Sequence, residues 1–139
     1  MRWRTAVAIV IVLLVAACGD DTPTAGTVTI ETEGDLIADD PAGSFEVTEG
    51  AEILGCSSGS WVTTDVTRLF PGVEVTRLFT CESGSKTGTF TLSFVPESAG
   101  ALWTMVEGTE DFEGLQGGGD MSLSTTTSET ITGDIEFLP

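Results

Sequence analysis

The chain contains no histidine and no tyrosine, and only five of its 139 residues are lysine or arginine. The lack of histidine excludes Ser-His-Asp and Cys-His catalysis and histidine-ligated metal centres. The 22 acidic residues give a formal net charge of −17, which repels nucleic acids. We therefore predict a non-enzymatic protein with no catalytic residues, no metal, no cofactor and no nucleic-acid partner.

Long hydrophobic runs are also scarce, and the longest uncharged one, Ala6 to Ala17, follows the basic residues Arg2 and Arg4. Twelve residues in a helix rise about 18 Å, which is shorter than a hydrocarbon core of about 30 Å. This pattern favours a cleavable signal peptide over a transmembrane helix. Its removal would leave only three basic residues in the chain.

The run ends in Val15-Ala16-Ala17-Cys18, which resembles the lipobox of bacterial lipoproteins. The resemblance implies cleavage after Ala17 and lipidation of Cys18, with acyl chains such as palmitate. Two or three chains on one cysteine hold a protein durably on a membrane. We expect a lipid-anchored protein on the extracytoplasmic face of the cell membrane. The alternative is an ordinary signal peptide in which Cys18 is incidental.

Cysteine is otherwise confined to Cys56 and Cys81. In an exported protein two thiols normally form a disulfide, and closing this loop would stabilise the fold by about 3 kcal/mol. A redox pair would favour C-x-x-C spacing, and a zinc site would need more ligands. We predict the Cys56–Cys81 disulfide.

The composition predicts three parts: a signal peptide (1–17), a lipidated flexible tether (18–26) and one all-β domain (27–139). The tether is small and polar, and no helical periodicity longer than two turns follows it. Ala51 to Cys56 is expected to enter the core. The predicted strands include Thr27 to Glu31, Ser44 to Thr48, Thr89 to Val95, Leu102 to Glu107, Gly119 to Ser124 and Glu129 to Leu138.

The sequence V-T-R-L-F occurs twice, at 66–70 and 75–79, around Pro71-Gly72. Proline and glycine suit a tight turn, so Trp61 to Phe70 is predicted to pair with Val73 to Glu82 as a hairpin. The repeat is too short for a solenoid unit. Its arginines, Arg68 and Arg77, are interpreted as surface ion-pair partners, with an anion clamp as the alternative.

Seven or eight strands predict a β-sandwich or a closed barrel. The stretch from Trp103 to Gly119 resembles a pattern of the allene oxide cyclase and dirigent-like barrel proteins, which implies a single antiparallel barrel of about eight strands. None of that family's active-site residues maps onto this chain. Glu107 and Glu110 replace family glycines, whose backbone conformations glutamate tolerates poorly. The matching positions are Trp103, Gly108, Thr109, Phe112, Gly114, Leu115, Gly117 and Gly119.

Little in this domain points to chemistry. Trp103 and Phe112 are interpreted as core residues, with the lining of a ligand cavity as the alternative. The run Gly117 to Gly119 is interpreted as a turn, and a pair such as Glu107 and Asp111 is not specific for catalysis.

The leading hypothesis is a monomeric, membrane-anchored binding or interaction module for a small apolar ligand or an envelope protein. The alternatives are a carboxylate-dependent enzyme acting on an extracytoplasmic substrate and a passive structural surface protein. A solvent-open cavity holding two carboxylates would favour the enzyme.

Overall fold

The computed structural model describes residues 24–35, 41–69, 72–98 and 100–139. The predicted signal peptide, Cys18 and most of the predicted tether lie outside these residues. The described part consists of eight strands and two short helices. The strands are β1 (Ala25–Gly34), β2 (Ala42–Glu49), β3 (Ser58–Leu69), β4 (Gly72–Ser83), β5 (Gly88–Glu97), β6 (Gly100–Gly108), β7 (Leu115–Leu123) and β8 (Ser128–Phe137).

The strands form one closed antiparallel barrel in chain order, and β1 pairs with β8 to complete it. Among the described strands each one has a partner on both sides, and closure of this kind removes the edge strands to which extended chains add. The predicted all-β barrel of about eight strands is confirmed, and the sandwich alternative is not adopted. Each strand pairs with the next one in the chain, so the order of strands around the barrel is the order in the sequence.

Alternating residues of each strand point into the barrel, as the period of two requires. In β5 the inward residues are Phe90, Leu92 and Phe94, all buried, as predicted from the sequence. The rings of Phe79 and Phe90 stack with their centroids 5.3 Å apart, and Phe45 meets both edge-on. This aromatic cluster is part of the buried core of the barrel.

The predicted hairpin of β3 and β4 is confirmed. Trp61 lies opposite Phe79 and Val66 opposite Val75, so the two V-T-R-L-F segments are antiparallel neighbours. A register shift between Thr63 and Asp65 marks a bulge, which bends a strand and increases its twist. The hairpin brings Arg77 to the inner face of β4.

The interpretation of Gly117 to Gly119 as a turn is wrong, because these residues lie within β7 and pair with Asp134 and its neighbours in β8. Glycine is needed here for space. A Cβ at Gly133, which faces Gly119, would lie 2.7 Å from Cζ2 of Trp103. The glycines of β7 and β8 thus accommodate a buried indole, whose Nε1 donates a hydrogen bond to Thr132 O at 3.1 Å.

Two short helices connect strands, α1 (Ala51–Leu54) and a 3-10 helix (Glu110–Phe112). Both are shorter than two turns, as expected, and among the described residues no helix has the length and apolarity to cross a membrane. The barrel begins slightly earlier than predicted. Ala25 and Gly26, assigned to the tether, pair with Glu136 and Ile135 in β8.

Candidate functional site

The two ends of the barrel differ in how they are filled. At the end that holds Thr24 and Phe137, helix α1 and the 3-10 helix pack against the strands and bury Leu54 and Phe112. The predicted disulfide between Cys56 and Cys81 is confirmed at this end, with Cα atoms 5.9 Å apart. We call this the closed end.

A cavity of about 430 Å³ lies at the opposite end, which we call the open end. Its volume falls within the range of small-molecule sites. The wall is formed by β4 to β8 and the turn between β7 and β8, and most of it is apolar. The apolar side chains that line it are Val75, Phe94, Pro96, Ala101, Met121 and Leu123, and the polar ones are Arg77, Thr126 and Glu129.

Arg77 lines the cavity from the inner face of β4 and is only 8% exposed. Its guanidinium carbon lies 4.5 Å from the centroid of the Trp61 ring and 5.0 Å from that of Phe94. Aromatic faces attract cations, and the attraction grows when water is excluded. The two rings therefore help to hold a positive charge inside the barrel.

Glu129 supplies the counterion from the inner face of β8 and is 3% exposed. Arg77 Nη1 donates to Oε1 of Glu129 at 2.5 Å, and Nη2 donates to Oε2 at 3.3 Å. Thr32 in β1 donates a further hydrogen bond to the same Oε1 at 3.0 Å. Two-pronged pairing of this kind is the geometry in which arginine binds carboxylates best. The charged pair is thus neutral as a unit.

The ion pair leaves part of the donor capacity of Arg77 unused, since Glu129 takes two of the five N–H groups of the guanidinium. Within the described part of the chain, Arg77 Nε is buried and has no hydrogen-bond partner. A buried donor without an acceptor costs free energy that a bound acceptor would recover. The cavity therefore combines an apolar wall, a neutralised ion pair and an arginine with unused N–H groups.

Of the residues that the sequence analysis singled out in the domain, Arg77 lines the cavity and Arg68, Trp103, Phe112, Glu107 and Asp111 do not. Arg77 was expected in a surface ion pair, but its pair is buried inside the barrel, because residue 77 shares the inward parity of Phe79. Arg68 is exposed on β3. Trp103 and Phe112 are buried core residues that do not line the cavity. Glu107 and Asp111 are exposed, outside the cavity.

Sequence reasoning missed Glu129 and Thr32, although a signal existed for both. The predicted strand at the carboxyl end places Ile131, Gly133 and Ile135 inward, and Glu129 has the same parity. Thr32 likewise shares the parity of Val28 and Ile30, which are buried in β1. A charged residue in phase with a buried apolar series predicts a buried partner of opposite charge.

No known protein family, no curated protein and no solved structure matches the chain. The functional argument therefore rests on the geometry of the open end.

Proposed function

We propose that this chain is an extracytoplasmic lipoprotein, anchored to the membrane through Cys18, whose barrel binds a small, largely apolar molecule at its open end. The observation that carries the binding proposal is the cavity itself. Most of its wall consists of apolar side chains, and its main polar groups, Arg77 and Glu129, are already paired with each other. Concave apolar sites with few polar groups are typical of small-molecule binding.

The cavity supports binding better than catalysis. Glu129 is the only acidic residue among those that line it, and its carboxylate is engaged by Arg77 and Thr32. A carboxylate-dependent hydrolase would need a second carboxylate facing the same space. The enzyme alternative therefore lacks the residue pair that it requires at this site.

The binding proposal is tested with a neutral fluorescent probe, N-phenyl-1-naphthylamine, and the full chain carrying Cys18→Ser. Leu123 lines the cavity and is 63% exposed, so Leu123→Asp should leave the fold intact and place a charge at the mouth. We expect Leu123→Asp to weaken probe binding at least tenfold. A carboxylate beside an apolar ligand is costly to desolvate.

Leu102→Asp is the matched control, because Leu102 is 44% exposed on the outer wall and does not line the cavity. It should bind the probe like the parent protein. If Leu102→Asp weakens binding and Leu123→Asp does not, the outer wall is the binding surface, as an envelope-protein partner would require. A parent protein that binds neither the probe nor any co-purifying small molecule in native mass spectrometry would favour a passive surface protein.

A further inference from the structure

The polar groups of the cavity restrict the charge that a ligand can carry. Arg77 is the only cation among the lining residues, and Glu129 already balances it through two hydrogen bonds. An anionic ligand would bring an uncompensated negative charge beside the Glu129 carboxylate, in a chain whose net charge is −17. A charge transferred from water into such a site without a partner is strongly disfavoured.

A cationic ligand is disfavoured for the corresponding reason. The carboxylate of Glu129 is 3% exposed, and its oxygens accept hydrogen bonds from Arg77 and Thr32. A ligand ammonium would have to displace the guanidinium, which is held between Trp61 and Phe94. The paired charges therefore favour an uncharged ligand.

The ligand is restricted further by the N–H groups of Arg77 that the ion pair leaves unused. Glu129 takes two of the five N–H groups of the Arg77 guanidinium. Nε has no partner in the described chain, and Arg77 is part of the cavity wall. A hydrogen bond from a charged donor to a buried acceptor is stronger than one between neutral groups. A ligand that carries an acceptor oxygen gains this bond, whereas a hydrocarbon of the same shape does not.

Resting on the proposed binding function, we infer that the ligand is an uncharged apolar molecule with one hydrogen-bond acceptor, such as the carbonyl of a ketone or an ester, directed at Arg77. The apolar body lies against Phe94, Ala101 and Met121, and the acceptor oxygen takes a hydrogen bond from the guanidinium of Arg77. The ion pair thus favours a ligand that has a polar group but no net charge.

Three ligands of similar size test this inference: 2-nonanone, its alkene isostere 2-methyl-1-nonene, and nonanoate. Their dissociation constants are measured by ligand-observed NMR on the full chain carrying Cys18→Ser. The same measurements are made after adding Arg77→Met and Glu129→Gln together. This pair of changes removes the donor, keeps the site neutral and retains an oxygen that accepts from Thr32.

The compared quantity is the ketone preference, the ratio of the alkene constant to the ketone constant. The ketone loses more hydration than the alkene when either protein binds it. Dividing the ketone preference of one protein by that of the other cancels this difference in hydration. We expect the ketone preference to be at least tenfold larger in the parent than in the doubly substituted protein. Nonanoate should bind the parent at least tenfold more weakly than 2-nonanone.

The outcomes separate this inference from the proposed function. An equal ketone preference in the two proteins, or nonanoate as the tightest ligand, would overturn the inference while the binding function stands. Failure of both the ketone and the alkene to bind the parent would overturn both. A circular dichroism spectrum of β type shows that the doubly substituted protein remains folded, and if it does not fold, the nonanoate comparison on the parent still decides.

Discussion

The guanidinium of Arg77 carries a positive charge into the barrel interior, and Glu129 is the carboxylate that compensates it. Removing one partner of a buried ion pair leaves an unpaired charge in a poor solvent for ions, at a cost of about 3–5 kcal/mol. We expect Glu129→Ala to lower the free energy of unfolding by this amount, as measured by urea denaturation. The fold should depend on the pair being complete.

Two controls distinguish the loss of pairing from a general effect of substitution. Glu136→Ala changes an exposed residue of the same strand and should alter stability by less than about 0.5 kcal/mol. Arg77→Met combined with Glu129→Gln removes both charges and should lie within about 2 kcal/mol of the parent, because neutral replacements of buried pairs are well tolerated. A combined variant as unstable as Glu129→Ala would contradict this account.

Glu110 is the one non-glycine residue with positive φ among those described, at +53°. The resemblance to the barrel proteins predicted a backbone that glutamate tolerates poorly at both Glu107 and Glu110, and of these two only Glu110 has positive φ. A non-glycine residue in the left-handed region costs about 1–2 kcal/mol. We expect Glu110→Gly to raise the free energy of unfolding, measured by urea denaturation, by up to about 1 kcal/mol. The gain is smaller than the relieved strain because glycine also increases the entropy of the unfolded chain.

The matched control for Glu110 is Glu113→Gly. Glu113 is also exposed and lies beside the same 3-10 helix, but its φ is −62°. With no strain to relieve, this substitution should lower stability by about 0.5–1 kcal/mol. Equal effects of the two substitutions would show that the backbone conformation at residue 110 does not matter.

At the scale of the elements, the disulfide joins the segment after α1 to the end of β4, across a sequence separation of 25 residues. Closing a loop of this length stabilises a fold by about 3 kcal/mol on the chain-entropy model. We expect reduction to lower the melting temperature by roughly 10 °C in a domain of this size. Differential scanning calorimetry with and without reductant measures the shift.

The double variant Cys56→Ser and Cys81→Ser should melt at the same temperature with and without reductant, at about the value of the reduced parent. If thiol titration shows that the reductant has freed both cysteines of the parent, and the parent still melts at the same temperature as without reductant, the crosslink does not stabilise the barrel. The closed end would then be held by the packing of Leu54 and Phe112 alone.

Hydrophobic periodicity correctly predicted the strands that alternate regularly. It failed at positions where the residue type is determined by a contact with another strand. β5 was predicted correctly because Phe90, Leu92 and Phe94 repeat at period two. β7 was placed too late, because glycines that make room for Trp103 look like turn residues in one dimension. The contact between Arg77 and Glu129 joins β4 to β8, which are not neighbours in the barrel. Alternation assigns a residue to a face but does not say which residue meets it across the interior.

At the scale of the whole molecule, the prediction of a lipid anchor concerns Cys18, outside the described residues. We expect the wild-type protein to incorporate an alkyne-tagged fatty acid and to sediment with membranes. Cys18→Ser should lose the label and leave the membrane fraction, because no other residue is expected to carry acyl chains. The double variant Cys56→Ser and Cys81→Ser retains Cys18 and should be labelled like the parent. A labelled Cys18→Ser protein, or one that stays with the membrane, would refute the anchor.

Closure of the barrel by β1 and β8 also places the first and last segments of the barrel together, where Phe137 N donates to Thr24 O at 2.8 Å. The cavity lies at the far end of the same strands. With the proposed anchor at Cys18, the membrane attachment would lead to the closed end of the barrel, and the mouth of the cavity would be the end farther from that attachment. A ligand would then enter and leave the cavity at the end away from the attachment. A protein fused after Phe137 would lie at the closed end and would not block the mouth of the cavity.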